Sequence, residues 1–417
     1  MLANSKIRTD FNPHLHIAIP AMDEMEWLPH TLASVERQSY RNFSVHICVN
    51  QPEEWWQDEQ KRSVCEQNAA LLQWLSEYRQ HCSFSLQIID RSSAGHGWIG
   101  KQHGVGWARK TLFDDILASS SATDLVVSLD ADTEFGERYF ETIVHSLAIH
   151  PQWVALSVPY YHRLTGDDAR DRAILRYEIY MRTYALNMLS IESPYAFTAI
   201  GSAIVVRAAA LRKIGGITPM KSGEDFYLVQ KLRKMGEVGT WCAECVYPAA
   251  RYSDRVIFGT GPAMMKGAEG DWSSYPIYDR SSFQKIAEIY RQINRLYTED
   301  INNDFTRFLQ AQFKTDDLWG PLRANSRTLE QFRHSFHEKA DGLRILQFLR
   351  QEHLGKNSHP DTLTNVYQQK PNTMGDEPTE NFPVCSAESL DNLSTQQLSD
   401  LRDKLFHLEW DARKKLS

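Results

Sequence analysis

Two acidic clusters stand out for the chemistry that their residue types allow. Asp130-Ala131-Asp132 follows directly on the apolar run DLVVSL. Two hard carboxylates there suit Mg2+ or Mn2+, ions that keep open positions for phosphate oxygens. The C-terminal ends of strands are also where open α/β sheets bind their ligands. A solvated turn with helix-capping aspartates would use the same residues. The second cluster, Gly223-Glu224-Asp225, opens the run DFYLVQKLRKMG. Capping and the helix dipole favour carboxylates at such a position in any protein. The functional reading is a general base that takes a proton from an attacking hydroxyl. A third element, Gly201-Ser202-Ala203, precedes a strand-like run, and its glycine leaves room for a ligand to approach backbone groups.

The elements that must hold these residues alternate between strand and helix patterns over the first 130 positions, which predicts stacked β-α units around a mostly parallel sheet. Strands are expected at His14–Pro20, Phe43–Val49, Phe84–Ile89, Asp124–Leu129, Val154–Val158 and Ala203–Val206. Helices are expected at Asp23–Gln38, Glu53–His81, Asp171–Leu189, Ala208–Lys213 and Asp225–Met235, the last stopped by Gly236. Tyr177, Tyr180 and Tyr184 recur at helical spacing and read first as half-buried packing, second as a sugar platform. From about Lys266 the pattern is helical alone, with Phe283–Leu296 and Leu329–Arg350 each placing apolar residues on one face. The predicted divisions are an α/β domain over 1–265, a helical domain over 266–354, a linker over 355–386 and a C-terminal helix over 387–417. Leu398, Leu401, Leu405 and Leu408 give that helix a short apolar seam. Two heptads favour docking on the chain's own body, with a homodimer as the second reading.

Length and composition narrow the classes of function. The chain has 417 residues, enough for two domains, with 42% hydrophobic and 24% charged residues. The net charge of −7 arises from 46 basic and 53 acidic residues without a basic arm, so a nucleic-acid partner is not expected. The longest apolar stretch, Ala196–Leu211, is broken by Arg207 and falls short of a membrane span. The first residues carry no signal-like apolar region, and a cytoplasmic location is the expectation. Six scattered cysteines, including the pair Cys242 and Cys245, read as reduced packing residues.

Taken in order, the segments HIAIPAMDEMEWLPHTLASVERQSY, GKQHGVGWAR, VVSLDADTEF, GSAIVVRAAALRKIGG, GEDFYLVQKLRKMG and RYSDRVIFGTG resemble the family 2 glycosyltransferases of GT-A fold. The resemblance runs from His16 to Gly261, and the C-terminal 150 or so residues carry none of it. It implies a Rossmann-like, mostly parallel sheet, a nucleoside diphosphate sugar as donor, and an acceptor hydroxyl that attacks the anomeric carbon in one inverting displacement. It also implies Mn2+ or Mg2+ to neutralise the departing diphosphate. The acceptor, whether glycan, lipid or small molecule, is left open.

Carried over position by position, Pro20, Ala21 and Glu24 match the segment that lines the nucleotide, Asp90 a base-contacting position, and Lys101 a basic donor contact. Asp130 and Asp132 match the metal and diphosphate motif, Gly201 and Ser202 belong to the donor side, and Asp225 is the expected base with Glu224 as its fallback. The second strand ends in Cys48-Val49-Asn50-Gln51-Pro52 where relatives commonly carry an acidic pair, so Asn50 would offer an amide to the nucleobase. No histidine lies between His162 and His334 to serve as the further metal ligand that many relatives have, which leaves water or Asp254. His96 and His103 flank the glycine-rich segment and read as surface or capping residues before phosphate contacts. His14 and His16 read as strand-edge residues. The alternatives are a retaining transferase on the same fold, a nucleotidyltransferase, and a silent sugar-nucleotide-binding protein whose helical region binds a partner.

Overall fold

In a computed structural model of the chain, the described residues are 11–252, 260–273, 275–355 and 390–417. The expected linker over 355–386, apart from its first residue, and Cys385 lie outside them. Two compact units emerge. The first comprises Met1–Ile174, Phe197–Glu269 and Arg413–Ser417, and the second Leu175–Ala196 and Gly270–Ala412.

The first unit is the α/β layer expected from the alternation. Its elements are β1 (Leu15–Ala21), α1 (Leu28–Glu36), β2 (Phe43–Asn50), α2 (Arg62–Tyr78), β3 (Ser85–Arg91), α3 (Val105–Ser119), β4 (Leu125–Ser128), β5 (Thr133–Phe135), α4 (Tyr139–Ile149), β6 (Trp153–Ser157), the start of α5 (Asp168–Ser190), β7 (Ile204–Arg207), α6 (Ala208–Lys213), α7 (Glu224–Met235), β8 (Glu237–Gly239), β9 (Val246–Pro248) and α8 (Thr260–Ala268). Seven strands form one sheet in the order β3-β2-β1-β4-β7-β6-β8. The neighbours from β3 to β4 run parallel, β7 runs antiparallel to β4 and β6, and β8 is parallel to β6. Every residue of β1 is buried, as a strand covered on both faces requires, whereas edge strand β3 buries only Leu86.

Two departures from the expected elements have local causes. The helix expected over Glu53–His81 is split into a 3-10 turn at Glu53–Gln57 and α2. Glu53 is held elsewhere: its carboxylate accepts from the Gly95 and Gly97 amides at 2.8 Å each, and its own N–H donates to the Trp98 carbonyl. Gly236 ends α7 as expected, but with extended backbone (φ −169°). A Cβ there would meet Val154 Cγ1 at 2.5 Å, so packing rather than left-handed geometry demands the glycine. The short strands β5 and β9, which pair antiparallel, escape a periodicity reading altogether.

The second unit holds the rest of α5 and the helices α9 (Arg280–Arg291), α10 (Ile293–Leu296), α11 (Asp304–Phe313), α12 (Gly320–Asn325), α13 (Leu329–Lys339), α14 (Gly342–Gly355) and, up to Ala412, α15 (Thr395–Leu416). Asp341 caps α14 by accepting from Arg344 N–H at 3.0 Å, which divides the single helix expected over Leu329–Arg350. Tyr177 and Tyr180 are buried and meet Tyr275 edge-to-face at 5.1 and 5.5 Å, a packing role. Half of the expected seam of α15 docks within this unit: Leu398 and Leu405 are fully buried, Leu401 is half-buried and Leu408 is exposed. Arg182, buried on α5, joins Glu178 and Glu409, while Arg402 joins Glu178 at 3.2 Å. Among the described residues no helix is long and apolar enough to cross a membrane. Cys48, Cys65, Cys242 and Cys245 are buried, and burial pushes the Cys242 thiol up to about 12.

At the N-terminal ends of β1 and β2, three histidines surround one hydroxyl. Ser44 Oγ lies 2.9 Å from His14 Nε2, 3.4 Å from His16 Nδ1 and 3.1 Å from His46 Nε2. Burial pulls His46 down to about 4, helped by neighbouring His16 and opposed by Asp115. Burial also lowers His16, against a hydrogen bond to Asp124. Neutral imidazoles in the fold and ordinary ones in the unfolded chain mean that the unfolded state takes up more protons in acid. Stability should therefore be full above about pH 6.5 and fall as pH drops towards about 4. Urea midpoints measured across that window should show the decline, and His46→Gln should flatten it.

Candidate functional site

The C-terminal ends of the parallel strands gather the residues singled out in the sequence. Pro20 and Ala21 close β1 opposite Cys48 and Val49 of β2, and Val49 in turn faces Asp90 of β3. Asn50 is buried, and its amide N–H donates to the Ala21 carbonyl at 2.9 Å, so that donor is spent within the sheet. Asp90 accepts from the Ser92 and Ser93 amides at 2.8 and 2.9 Å. Burial alone would raise its proton affinity, but these bonds outweigh it and hold Asp90 below the usual carboxylate range. His96 lies 3.6 Å from its other oxygen. His103 is lowered by burial and by nearby Lys221. Lys101 is exposed, and no ion pair among the described residues ties it to this edge.

The turn after β4 carries Asp130 and Asp132. Its backbone is braced from α1, where Thr31 Oγ1 donates to the Ala131 carbonyl at 2.8 Å and accepts from Thr133 N–H at 3.1 Å. From there two arginines organise the carboxylates. Arg109, on the buried face of α3 and only 4% exposed, donates through Nη2 to Asp130, through Nε to Glu224 at 3.0 Å, and through Nη1 to Ser128 and to the Gly201 carbonyl. The space at Gly201 is taken by this guanidinium, because a Cβ there would meet Arg109 Nη2 at 2.1 Å. Gly106, one turn earlier on α3, allows equally close approach of the Met220 backbone ahead of α7. Neighbouring Ser202 is fully buried.

The second arginine is Arg251. Pairing of β5 with β9, continued by the Ala249 amide on the Asp132 carbonyl at 3.0 Å, brings it beside the motif. Its Nε lies 2.6 Å from Asp132 Oδ2 and its Nη2 2.6 Å from Glu24 Oε1. Sequence reasoning passed over both arginines. The signal for Arg109 was legible: it occupies an apolar-stripe position, with Ala108, Leu112, Phe113 and Ile116 as buried companions. A guanidinium on such a face demands a buried anion. Arg251 had no comparable signal, since its partners Glu24 and Asp132 lie far away in sequence and the short β5–β9 pairing that brings it near Asp132 is invisible to periodicity.

Glu224 and Asp225 begin α7 after Gly223, whose φ of 76° suits glycine. Their environments push them apart. Glu224 is 4% exposed and ion-paired with Arg109, which removes it as a free base. Asp225 is half-buried, and its Oδ1 accepts from the Phe226 amide at 2.7 Å. Burial and the Glu224 charge, against the pull of Arg109, raise Asp225 to about 7. A carboxyl near neutrality is the property a general base needs.

Hard carboxylate oxygens suit Mg2+ or Mn2+, and a cation, the Arg251 guanidinium, already lies between Glu24 and Asp132. The donor set therefore fits a divalent ion in kind. Among the described residues no group of three or more His, Cys, Asp and Glu side chains is placed to hold one alone. An ion would complete its shell with donor oxygens and water, the usual habit of Mg2+. Asp254 lies outside the described residues.

No protein-family model and no curated relative matches the chain. Among solved structures, it is similar to S. aureus TarS 1-349 in complex with UDP-GlcNAc, at 12% identity over 85% of this chain and 95% of that one, with a TM-score of 0.42. The same TarS segment in complex with UDP gives 13% identity over 84% and 95%, with a TM-score of 0.41. GalNAc-T7 with UDP, GalNAc and Mn2+ gives 12% identity over 80% and 58%, with a TM-score of 0.38. Likeness at this level carries no argument about chemistry, which rests on the chain's own residues.

In protein labelled with 13C at the aspartate side-chain carboxyls, one resonance should titrate near pH 7 and vanish in Asp225→Asn. Glu224→Gln removes a like charge and should move that titration down. Arg109→Met should strand buried carboxylates and cost roughly 3–5 kcal/mol in chemical denaturation.

Proposed function

We propose that the chain is a nucleotide-sugar-dependent glycosyltransferase of GT-A type, family 2, acting by inverting single displacement. The observation that carries this reading is the division of labour at the sheet edge. Asp225 is poised near neutrality beside Glu224, which Arg109 holds together with Asp130 in one hydrogen-bonded group.

In the proposed reaction the nucleotide lies along Pro20, Ala21, Asn50 and Asp90, with Glu24 on the donor side and Lys101 as an exposed basic contact from the glycine-rich segment, while Gly201, packed against Arg109, and buried Ser202 shape the site from behind. Since the Asn50 N–H groups are turned to Ala21, its carbonyl is the group offered to a nucleobase. Asp225 accepts the proton of the acceptor hydroxyl. The acceptor oxygen then bonds to the anomeric carbon as the bond from that carbon to the diphosphate breaks, and the diphosphate leaves with the electron pair. Asp130 and Asp132 would hold a divalent ion, whose chemistry when bound is to neutralise charge on the leaving diphosphate. Asp130 remains about one-third exposed beside its pairing with Arg109.

Because the base must be ionised to act, turnover should rise with pH through about 7 and level off above it. A panel of nucleoside diphosphate sugars, incubated with Mn2+ and followed for transfer or hydrolysis, tests the reading. No binding and no turnover with any donor would end it. Asp225→Asn should lower kcat by roughly 10²–10⁴-fold while donor affinity survives. An inverted anomeric product by NMR separates single displacement from retention.

A further inference from the structure

The Glu24, Asp132 and Arg251 triad stands where the leaving diphosphate and its counter-ion would meet. The three groups are close: both carboxylates lie 2.6 Å from the same guanidinium, and their side chains are 6%, 14% and 17% exposed respectively. Arg251 also lies over the Trp27 ring, 5.5 Å from its centroid. A guanidinium so placed occupies the position of a cation between two hard carboxylates, and a second cation cannot share it.

We infer that Arg251 is an exchangeable counter-ion, which holds Glu24 and Asp132 in the ligand-free protein and yields Asp132 to a divalent ion when the donor enters. This rests on the nucleotide-sugar reading for its donor, though not for the exchange itself. The electrostatics give the exchange a direction. Adding a divalent ion beside these carboxylates raises the local charge by two, which favours a diphosphate there. The released guanidinium, with its planar fork of donors, is then free for phosphate oxygens. Ion without donor must compete with Arg251 and binds weakly. Ion with donor is repaid by the contacts that both cations make with the diphosphate. Donor and metal therefore bind with positive coupling, and by linkage each raises the affinity of the other by the same factor.

The competition predicts an effect that a purely structural salt bridge would not produce. Mn2+ alone, titrated into chelator-treated protein and followed by EPR of the free ion, should bind Arg251→Gln at least tenfold more tightly than the unaltered chain. Asp132→Asn added to Arg251→Gln should abolish the gain. UDP should tighten Mn2+ binding at least tenfold in the unaltered protein and less in Arg251→Gln, where the competitor is already gone. Unchanged or weaker Mn2+ binding in Arg251→Gln overturns the inference, and so does a gain that survives Asp132→Asn. Arg251→Lys, which keeps a charge but cannot bridge both carboxylates, should gain a smaller amount and serves if the glutamine variant misfolds. The two readings separate cleanly. Tighter metal binding in Arg251→Gln without binding of any nucleoside diphosphate sinks the transferase but leaves the exchange. UDP binding with metal, alongside an unaltered metal affinity in Arg251→Gln, does the reverse.

Discussion

The buried guanidinium of Arg109 is the constraint on which the site depends. It sits in the interior of the α/β unit and can be ionised there only because anions surround it. Burial opposes its charge, but Asp130, Glu224 and Asp225 outweigh that and raise its proton affinity. One planar group thereby fixes the end of β4, the Gly201 loop and the start of α7 at hydrogen-bond distance from α3. Glycine at 201 and at 106 follows from it, since the guanidinium fills one space and the close seating of α3 requires the other. The reactive property of Asp225 follows in part, because burial first, and then the Glu224 charge against Arg109, set where it titrates.

The two arginines do different work with the same chemistry. Arg109 is almost wholly buried and makes contacts in several directions, which suits a permanent part of the framework. Arg251 is more exposed and spans only two carboxylates, both beside the turn that carries the Asp130-Ala131-Asp132 motif. An ion pair at a partly hydrated edge has a smaller net stability than its short distances suggest, because water competes for both partners. Such a pair can be traded for another. A fully buried one strands its charges when it breaks.

Much of the fold was legible because burial on two faces writes itself into residue type. The runs LHIAIPA and LVVS are apolar but for His16 and Ser128, and they became the central strands β1 and β4. Asp130, Asp132 and Asp225 were legible by position, immediately after a strand or at a helix start. What stayed hidden depended on contacts distant in sequence. Glu53 resembles a helix residue until its carboxylate is seen to hold two glycine amides some 40 positions away. The strands β5 and β9 have three residues each, too few for a period, yet their pairing alone brings Arg251 to Asp132. Gly201 was legible as a place of close approach, but the sequence could not tell that a side chain of the protein itself makes that approach.

The charged network of the helical unit bears on how the chain is made. Glu178 and Arg182 of α5 are matched by Arg402 and Glu409 of α15, partners separated by 224 and 227 positions. All four side chains are almost wholly buried. During synthesis α5 emerges more than two hundred residues before these partners on α15. Contacts of such long sequence separation form slowly and late. The α/β unit, whose parallel strands β1 to β4 all lie within the first 130 residues, can order early. The helical unit must wait for α15 to leave the ribosome, and a chain halted before Thr395 would carry a finished sheet beside an open, adhesive helical half that chaperones would be expected to hold.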